Sequence, residues 1–252
     1  MRKTDKCTQL AQLFSGFEDS VLISYAEGRV GQGWCDDEDE MKSGIINAGD
    51  FYFVAGEPTL AAQAIELAKD NSEAVFMPAN DRWTKALQEL DKGLVRTVRN
   101  RTTAPEKFDE GRLAALCDMA AYPGYRLEDM CKDYYEQSLE EVWSRSFVCN
   151  FLDYNDFMEN AFAKCITHKG RIICAASCYC VYSRGAEVEI ATHPDYRRQG
   201  LATVAGAAFI GECIKRGLTP HWDAANKMSL KIAQKLGFVL KEEYTALCFD
   251  EG

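Results

Sequence analysis

Between Ala186 and Gly217 the chain passes from a strand pattern into a helix pattern through a loop bearing two arginines and a glycine, and this order constrains the fold more than any other stretch. AEVEIAT (186–192) alternates apolar and polar residues with the period of a strand. HPDYRRQG (193–200) interrupts that pattern with Pro194, Arg197, Arg198 and Gly200. LATVAGAAFIGECIKR (201–216) then places Leu201, Val204, Ala205, Ala208, Phe209 and Cys213 on one helical face, with Lys215, Arg216 and Gly217 as a C-terminal stop. A helix that opens on such a loop presents backbone N–H groups with no partner inside it, together carrying roughly half a positive charge. Small residues at Gly200 and Ala202 leave those donors open to an anion, and Arg197 and Arg198 add charge at the rim.

The remaining pattern predicts an α/β chain. VLISYAEG (21–28), DFYFVAGEP (50–58), EAVFMP (73–78) and GLVRTVRNRT (93–102) read as strands, and LAAQAIELAKD (60–70) and DRWTKALQEL (81–90) as helices. TAPEKFDEG (103–111) is polar and holds Pro105, so a boundary is expected there, with an N-terminal α/β domain over 1–110 and a second domain over 111–252. Leu127, Cys131, Tyr134, Tyr135, Leu139 and Val142 continue as a helical stripe. AFAKCITHKG and RIICAASCYCVYSRG predict a hairpin about Lys169-Gly170, followed by the strand at 186–192. LTPHWDA (218–224) reads as a short strand, NKMSLKIAQKL (226–236) as a helix capped by Asn226 and stopped by Gly237, and FVLKEEYTALCF (238–249) as a closing strand.

Composition narrows the partners. With 29 basic against 39 acidic residues and no basic tail, the chain is not expected to bind nucleic acid or an anionic membrane, so any anion must be held locally. No long apolar run and no signal-peptide pattern at MRKTDKCTQLAQ lead to an expected cytoplasmic location. Eleven cysteines at irregular spacings read as reduced, buried thiols, and Cys174, Cys178 and Cys180, sitting mid-strand, are not expected to form a metal site. GRVGQG (28–33) runs into the acidic DDEDE (36–40), which would repel phosphate, so both are read as loop.

R-x-x-G-x-A at Arg197 to Ala202, preceded by Pro194, and N-x-x-S-x-x-x-A-x-K-L-G-F at Asn226 to Phe238 together resemble the coenzyme A site of the GNAT N-acetyltransferase superfamily. The resemblance covers about residues 125–252, in the subset that carries an N-terminal α/β extension. It implies a mixed, mostly antiparallel sheet flanked by helices, with acetyl-CoA as cofactor. It further implies that the pyrophosphate sits on the amides of Gln199, Gly200, Leu201 and Ala202 with Thr203 nearby and Arg197 and Arg198 at the rim. The pantetheine arm would lie along the strand ending at Ala191 and Thr192, and Asn226 and Ser229 belong to the second motif. In that fold the strand after the cofactor helix parts from the one before it; Pro220, which cannot donate to a ladder, fits such a gap or merely starts its strand.

The implied activity is acetyl transfer to a primary amine of a small molecule, by direct attack assisted by a general base; the alternative is a non-catalytic CoA-binding regulatory module. An acidic protein favours a cationic acceptor, and a homodimer is compatible with the sequence. Glu187 and Glu189 share one strand face and His221 titrates near neutrality, so each is a candidate base, against the plainer readings of a paired carboxylate and a satisfied histidine. Many family members carry a tyrosine as general acid four residues before the glycine of the second motif. Here that position is Ala233, which leaves Tyr244 as a substitute acid.

Overall fold

A computed structural model describes residues 1–250. The chain forms two compact units, one of Met1–Arg99 together with the C-terminal stretch from Glu243, the other of Asn100–Glu242.

The first unit opens with β1 (Arg2–Thr4), α1 (Cys7–Ala11) and α2 (Ser20–Ala26), then the hairpin of β2 (Gln32–Cys35) and β3 (Ser43–Ala48). Residues 21–28 were expected as a strand; those up to Ala26 are helical because Asp19 caps them, its carboxylate accepting from Val21 N, and a short apolar run does not by itself distinguish a buried helix from a strand. Nor is GRVGQG simply a loop: Gly33 lies in β2, where a Cβ would collide with the Tyr25 hydroxyl. DDEDE is the tight connection from β2 to β3, with Asp36 Oδ1 accepting from Lys42 N and Ser43 N and Asp37 Oδ1 from Asp39 N. β4 (Phe51–Gly56), α3 (Ala61–Ala68) and β5 (Val75–Pro78) make a parallel crossover, followed by α4 (Asp81–Leu90), all close to expectation. β6 (Leu94–Thr103) then carries the chain into the second unit.

The second unit continues with α5 (Glu110–Leu116), β7 (Tyr125–Asp129), α6 (Lys132–Glu140), α7 (Val142–Arg145), α8 (Tyr154–Asn160), β8 (Ala163–His168), β9 (Arg171–Tyr182) and β10 (Gly185–Thr192). α9 (Leu201–Arg216), β11 (Thr219–His221), β12 (Asp223–Ala224) and α10 (Lys227–Leu236) complete it. Leu127 belongs to strand β7, paired with Ile166, rather than to a helix; the helical stripe begins only after Cys131, the N-cap residue of α6. The sheet order is β11-β10-β9-β8-β7, antiparallel except for β10 with β11. Lys169 (φ 52°) and Gly170 (φ 78°) form the two-residue turn of the β8–β9 hairpin, the conformation that twisted strands favour.

The buried face of α9 fixes its start relative to the sheet. Leu201, Val204, Ala205, Phe209, Ile210 and Cys213 are all buried, and Phe209 stacks on Phe162 with ring centroids 4.9 Å apart. Lys164 on β8 ties strand to helix, its Nζ 2.5 Å from Asp129 Oδ1 and 3.0 Å from Glu212 Oε2. Burial favours the neutral amine there, but the two carboxylates outweigh it and hold the Lys164 pKa above its ordinary value.

β13 (Val239–Phe249) closes the chain and pairs antiparallel with β5, so the first unit orders its strands β1-β2-β3-β4-β5-β13-β6. The division thus differs from the expected boundary at about residue 110. Leu247 is fully buried among Phe76, Trp83 and Leu94 of the first unit's core. The later part of β6 is claimed by the second unit, where Asn100 Nδ2 donates to Ala224 O at 3.2 Å and Thr102 Oγ1 to Trp222 O at 2.6 Å. Among the described residues no helix is long and apolar enough to cross a membrane.

Truncating the fully buried Phe209 to alanine removes a ring from the contact between α9 and β8–β9, and is expected to destabilise the protein by about 3–5 kcal/mol. Chemical denaturation of the variant against the parent checks this.

Candidate active site

The loop at 197–200 carries two residues in the left-handed conformation. Arg198 (φ 63°) and Gly200 (φ 86°) adopt the left-handed conformation on either side of Gln199, and Gly200 is the N-cap of α9 with no side-chain cap. Thr203 N and Val204 N are satisfied by Gly200 O, whereas the amides of Gln199, Gly200, Leu201 and Ala202 find no acceptor among the described residues. Arg197 Nε donates to Thr192 O (3.2 Å), tying the loop to the end of β10, and Arg198 is exposed at the rim. Thr203 is buried beneath them. Four donors without acceptors at a positive helix end are suited to a diphosphate. The site answers a chemical test of its own: a Cβ at residue 200 would both strain the backbone and approach within 2.9 Å of the Tyr122 hydroxyl.

A second feature meets the loop at the end of β10. β11 pairs with β10 at Gly185–Thr219, Ala186–Pro220 and Glu187–His221, and there the ladder ends. From Val188 to Thr192, including Ala191 and Thr192, β10 has no strand on that side among the described residues. Just where the pairing stops, the register with β9 shifts: Glu187 faces Cys180 but Val188 faces Cys178, so Tyr179 is the extra residue of a bulge. Pro220 is the middle residue of β11, with Thr219 rather than the proline starting the strand. A free sheet edge of this kind can pair with an extended ligand that carries amide groups.

The candidate bases diverge. Glu187, only 8% exposed, accepts from Asp223 N at 2.7 Å and so holds β12 against the end of the β10–β11 ladder. Glu189, half-buried on the unpaired stretch, accepts from Ser146 Oγ at 3.1 Å, just beyond α7. His221 Nε2 lies 2.7 Å from Tyr182 Oη, and burial lowers its pKa below the ordinary 6.5, leaving a neutral imidazole at pH 7. These three belong to the second unit. Tyr244 belongs to the first, where its hydroxyl accepts from Arg99 Nε at 3.2 Å. Ala233 is fully buried in α10. Asn226 caps α10 through Oδ1, and Ser229 Oγ accepts from Trp222 Nε1 at 3.0 Å, so both brace the helix that follows β12. Burial pushes the mid-strand thiols of Cys174 and Cys178 up to about 12.

Ser146, Tyr182 and a pair of tyrosines at 122 and 125 went unnoticed in the sequence. Tyr125 Oη donates to Gln199 Oε1 at 3.1 Å. No spacing rule joins residues so distant in the chain, and for Ser146 the only signal was its place at the end of a short aromatic helix. The aromatic residues around it pack on one another, Trp143 on Phe147 (5.7 Å) and Phe151 on Phe157 (5.1 Å), and Phe147 and Phe157 are fully buried.

The GNAT acetyltransferase family model matches residues 11–247, and the chain belongs to that family. A GCN5-related N-acetyltransferase-like protein from Streptococcus suis, known from its crystal structure, is 31% identical with a TM-score of 0.89, the match covering 98% of this chain and 99% of that one. An uncharacterized N-acetyltransferase of Bacillus subtilis, YdfB, is 24% identical over 245 residues, which are 90% of this chain and 87% of that protein. A GCN5-related N-acetyltransferase from Kribbella flavida shares the fold at 14% identity and TM-score 0.56, over 98% of this chain and 96% of that one. The chain is therefore an N-acetyltransferase of the GNAT type, a family that generally uses acetyl-CoA, and the family match takes in the N-terminal region that the two motifs left outside.

His221 carries a stability prediction. Its folded pKa lies below the ordinary 6.5, so the unfolded chain takes up that proton first as pH falls. The stability it contributes is intact above about 6.5 and is lost as pH drops through that value toward the folded pKa. Denaturant midpoints at about pH 7.5 and about pH 5.5 should fall less for His221→Gln than for the parent.

Proposed function

We propose that this enzyme transfers the acetyl group of acetyl-CoA to a primary amine of a small molecule by direct attack. The observation that carries the reading is the set of acceptor-less amides from Gln199 to Ala202, opening beside the unpaired stretch of β10. Those amides, with Arg197 and Arg198, would hold the diphosphate, and the free edge from Val188 to Thr192 would take the pantetheine arm. Asn226 and Ser229 of the second motif fix the start of α10 and Trp222. When bound, acetyl-CoA supplies a thioester, an acyl group activated toward an amine.

The chain's own work is to deliver that amine neutral. An alkylammonium with a pKa near 10.4 is only about one part in a thousand deprotonated at neutral pH, a deficit of roughly 4–5 kcal/mol. Glu189 and His221 are the residues able to accept its proton. Glu189 stands on the unpaired edge with its carboxylate oriented by Ser146, and its charge favours a cationic acceptor. His221 is held neutral by burial, which is the form a base requires. Glu187, bound to the Asp223 amide, keeps the two strands together at the base of the opening. With Ala233 in place of the family's tyrosine, α10 carries no tyrosine to serve as the acid.

Two measurements test this. Calorimetric titration should show acetyl-CoA binding to the parent and none to Gly200→Glu, which adds bulk and negative charge among the donors. Thiol release from acetyl-CoA with a panel of polyamines, aminoglycosides and amino acids should identify a turning-over amine, and tight binding without release from any of them would favour a non-catalytic CoA-binding role.

A further inference from the structure

The segment Tyr122-Pro123-Gly124-Tyr125, which leads into β7, lies against the loop that opens α9 although 74 residues separate Tyr125 from Gln199. The two tyrosine rings stack, with centroids 6.4 Å apart and planes 19° from parallel. Tyr125 is itself fixed by an edge contact with His168 at 5.0 Å, another with Tyr196 at 6.1 Å, and its hydrogen bond to Gln199. The stack therefore sets the ring of Tyr122 in one place. That place brings its hydroxyl over the N-cap of α9, 2.9 Å from the position a Cβ would take at residue 200.

The Tyr122 hydroxyl has no hydrogen-bond partner among the described residues, and neither do the four amides from Gln199 to Ala202 beside it. A phenol is both donor and acceptor, so an ordinary packing role would let it bond to a nearby amide or carbonyl. Here it is left at the edge of a group of donors, half-exposed, next to the one residue whose lack of a side chain keeps the approach clear. Four neighbouring N–H groups and one O–H group share the need for an acceptor, and an anion with several oxygens meets it.

We propose that the Tyr122 hydroxyl is a further donor to the diphosphate of acetyl-CoA, supplied from outside the loop-and-helix motif. The proposal rests on the acetyl-CoA reading above. It also gives Gly200 a second reason to be glycine, since any Cβ would press on the hydroxyl as well as strain the turn.

Tyr122→Phe keeps the stacked ring and removes only the oxygen. Acetyl-CoA and 3′-dephospho-acetyl-CoA, which retains the diphosphate, are titrated into the parent and the variant, and the thermal midpoint of each ligand-free protein is recorded. The expected result is an affinity about ten-fold weaker in the variant for both ligands, with the midpoint unchanged, as for one hydrogen bond to a charged group. Equal affinities in parent and variant would overturn the proposal and leave the acetyl-CoA reading standing. A loss confined to acetyl-CoA would assign the hydroxyl to the 3′-phosphate and overturn it, and so would a loss accompanied by a lowered midpoint, which marks a packing role. Failure of the parent to bind either ligand would overturn the acetyl-CoA reading, and this proposal with it.

Discussion

The parallel ladder between β10 and β11 stops after Glu187, and the rest of the site follows from that early stop. Had the two strands stayed paired through Thr192, the backbone groups of β10 would be satisfied and the sheet closed. Instead the bulge at Tyr179 on β9 breaks the register beside β10 as the pairing ends, and Glu187 secures the turn into β12 through the Asp223 amide. The strand then ends at a loop whose two left-handed residues lead into the unfilled amides that open α9. Open sheet edges are usually a hazard; here the edge is short and confined beside a positive helix end.

The same strand shows how position decides the fate of like side chains. Glu187 and Glu189 are two residues apart on one face, yet one lies inside the ladder and the other outside it. Inside, a carboxylate must be satisfied by protein donors, and Glu187 is. Outside, Glu189 accepts from the Ser146 hydroxyl and remains half-buried. His221, opposite Glu187, is settled by Tyr182 and by burial.

Legibility in the sequence tracked how local each cause was. The β8–β9 hairpin, α9 with its Gly217 stop, and α10 between Asn226 and Gly237 were readable because turn, cap and stop residues act within a few positions. The segment at 21–28 was misread because its apolar run hid the Asp19 cap, and Leu127 because its spacing happened to continue the stripe of α6. The loop of the candidate site could be read from its glycine and arginines alone, but what surrounds it could not. Tyr122 reaches the loop, Tyr182 reaches His221 and Ser146 reaches Glu189 through tertiary packing that no local pattern encodes. The unit boundary failed for a similar reason: the polarity of 103–111 marks a surface segment, while the strand that decides the division, β13, lies far downstream.

Because β13 completes the sheet begun by β1 to β6, the first unit is interrupted in sequence by the whole of the second. On the ribosome, Asn100–Glu242 is therefore fully synthesised before the partner strand of β5 exists, so the earlier-made portion waits with Phe76 and Val75 uncovered along one side. Nesting of this sort couples maturation of the amino-terminal portion to that of the inserted one, and a chain severed after residue 110 would leave neither fragment with the strands it needs.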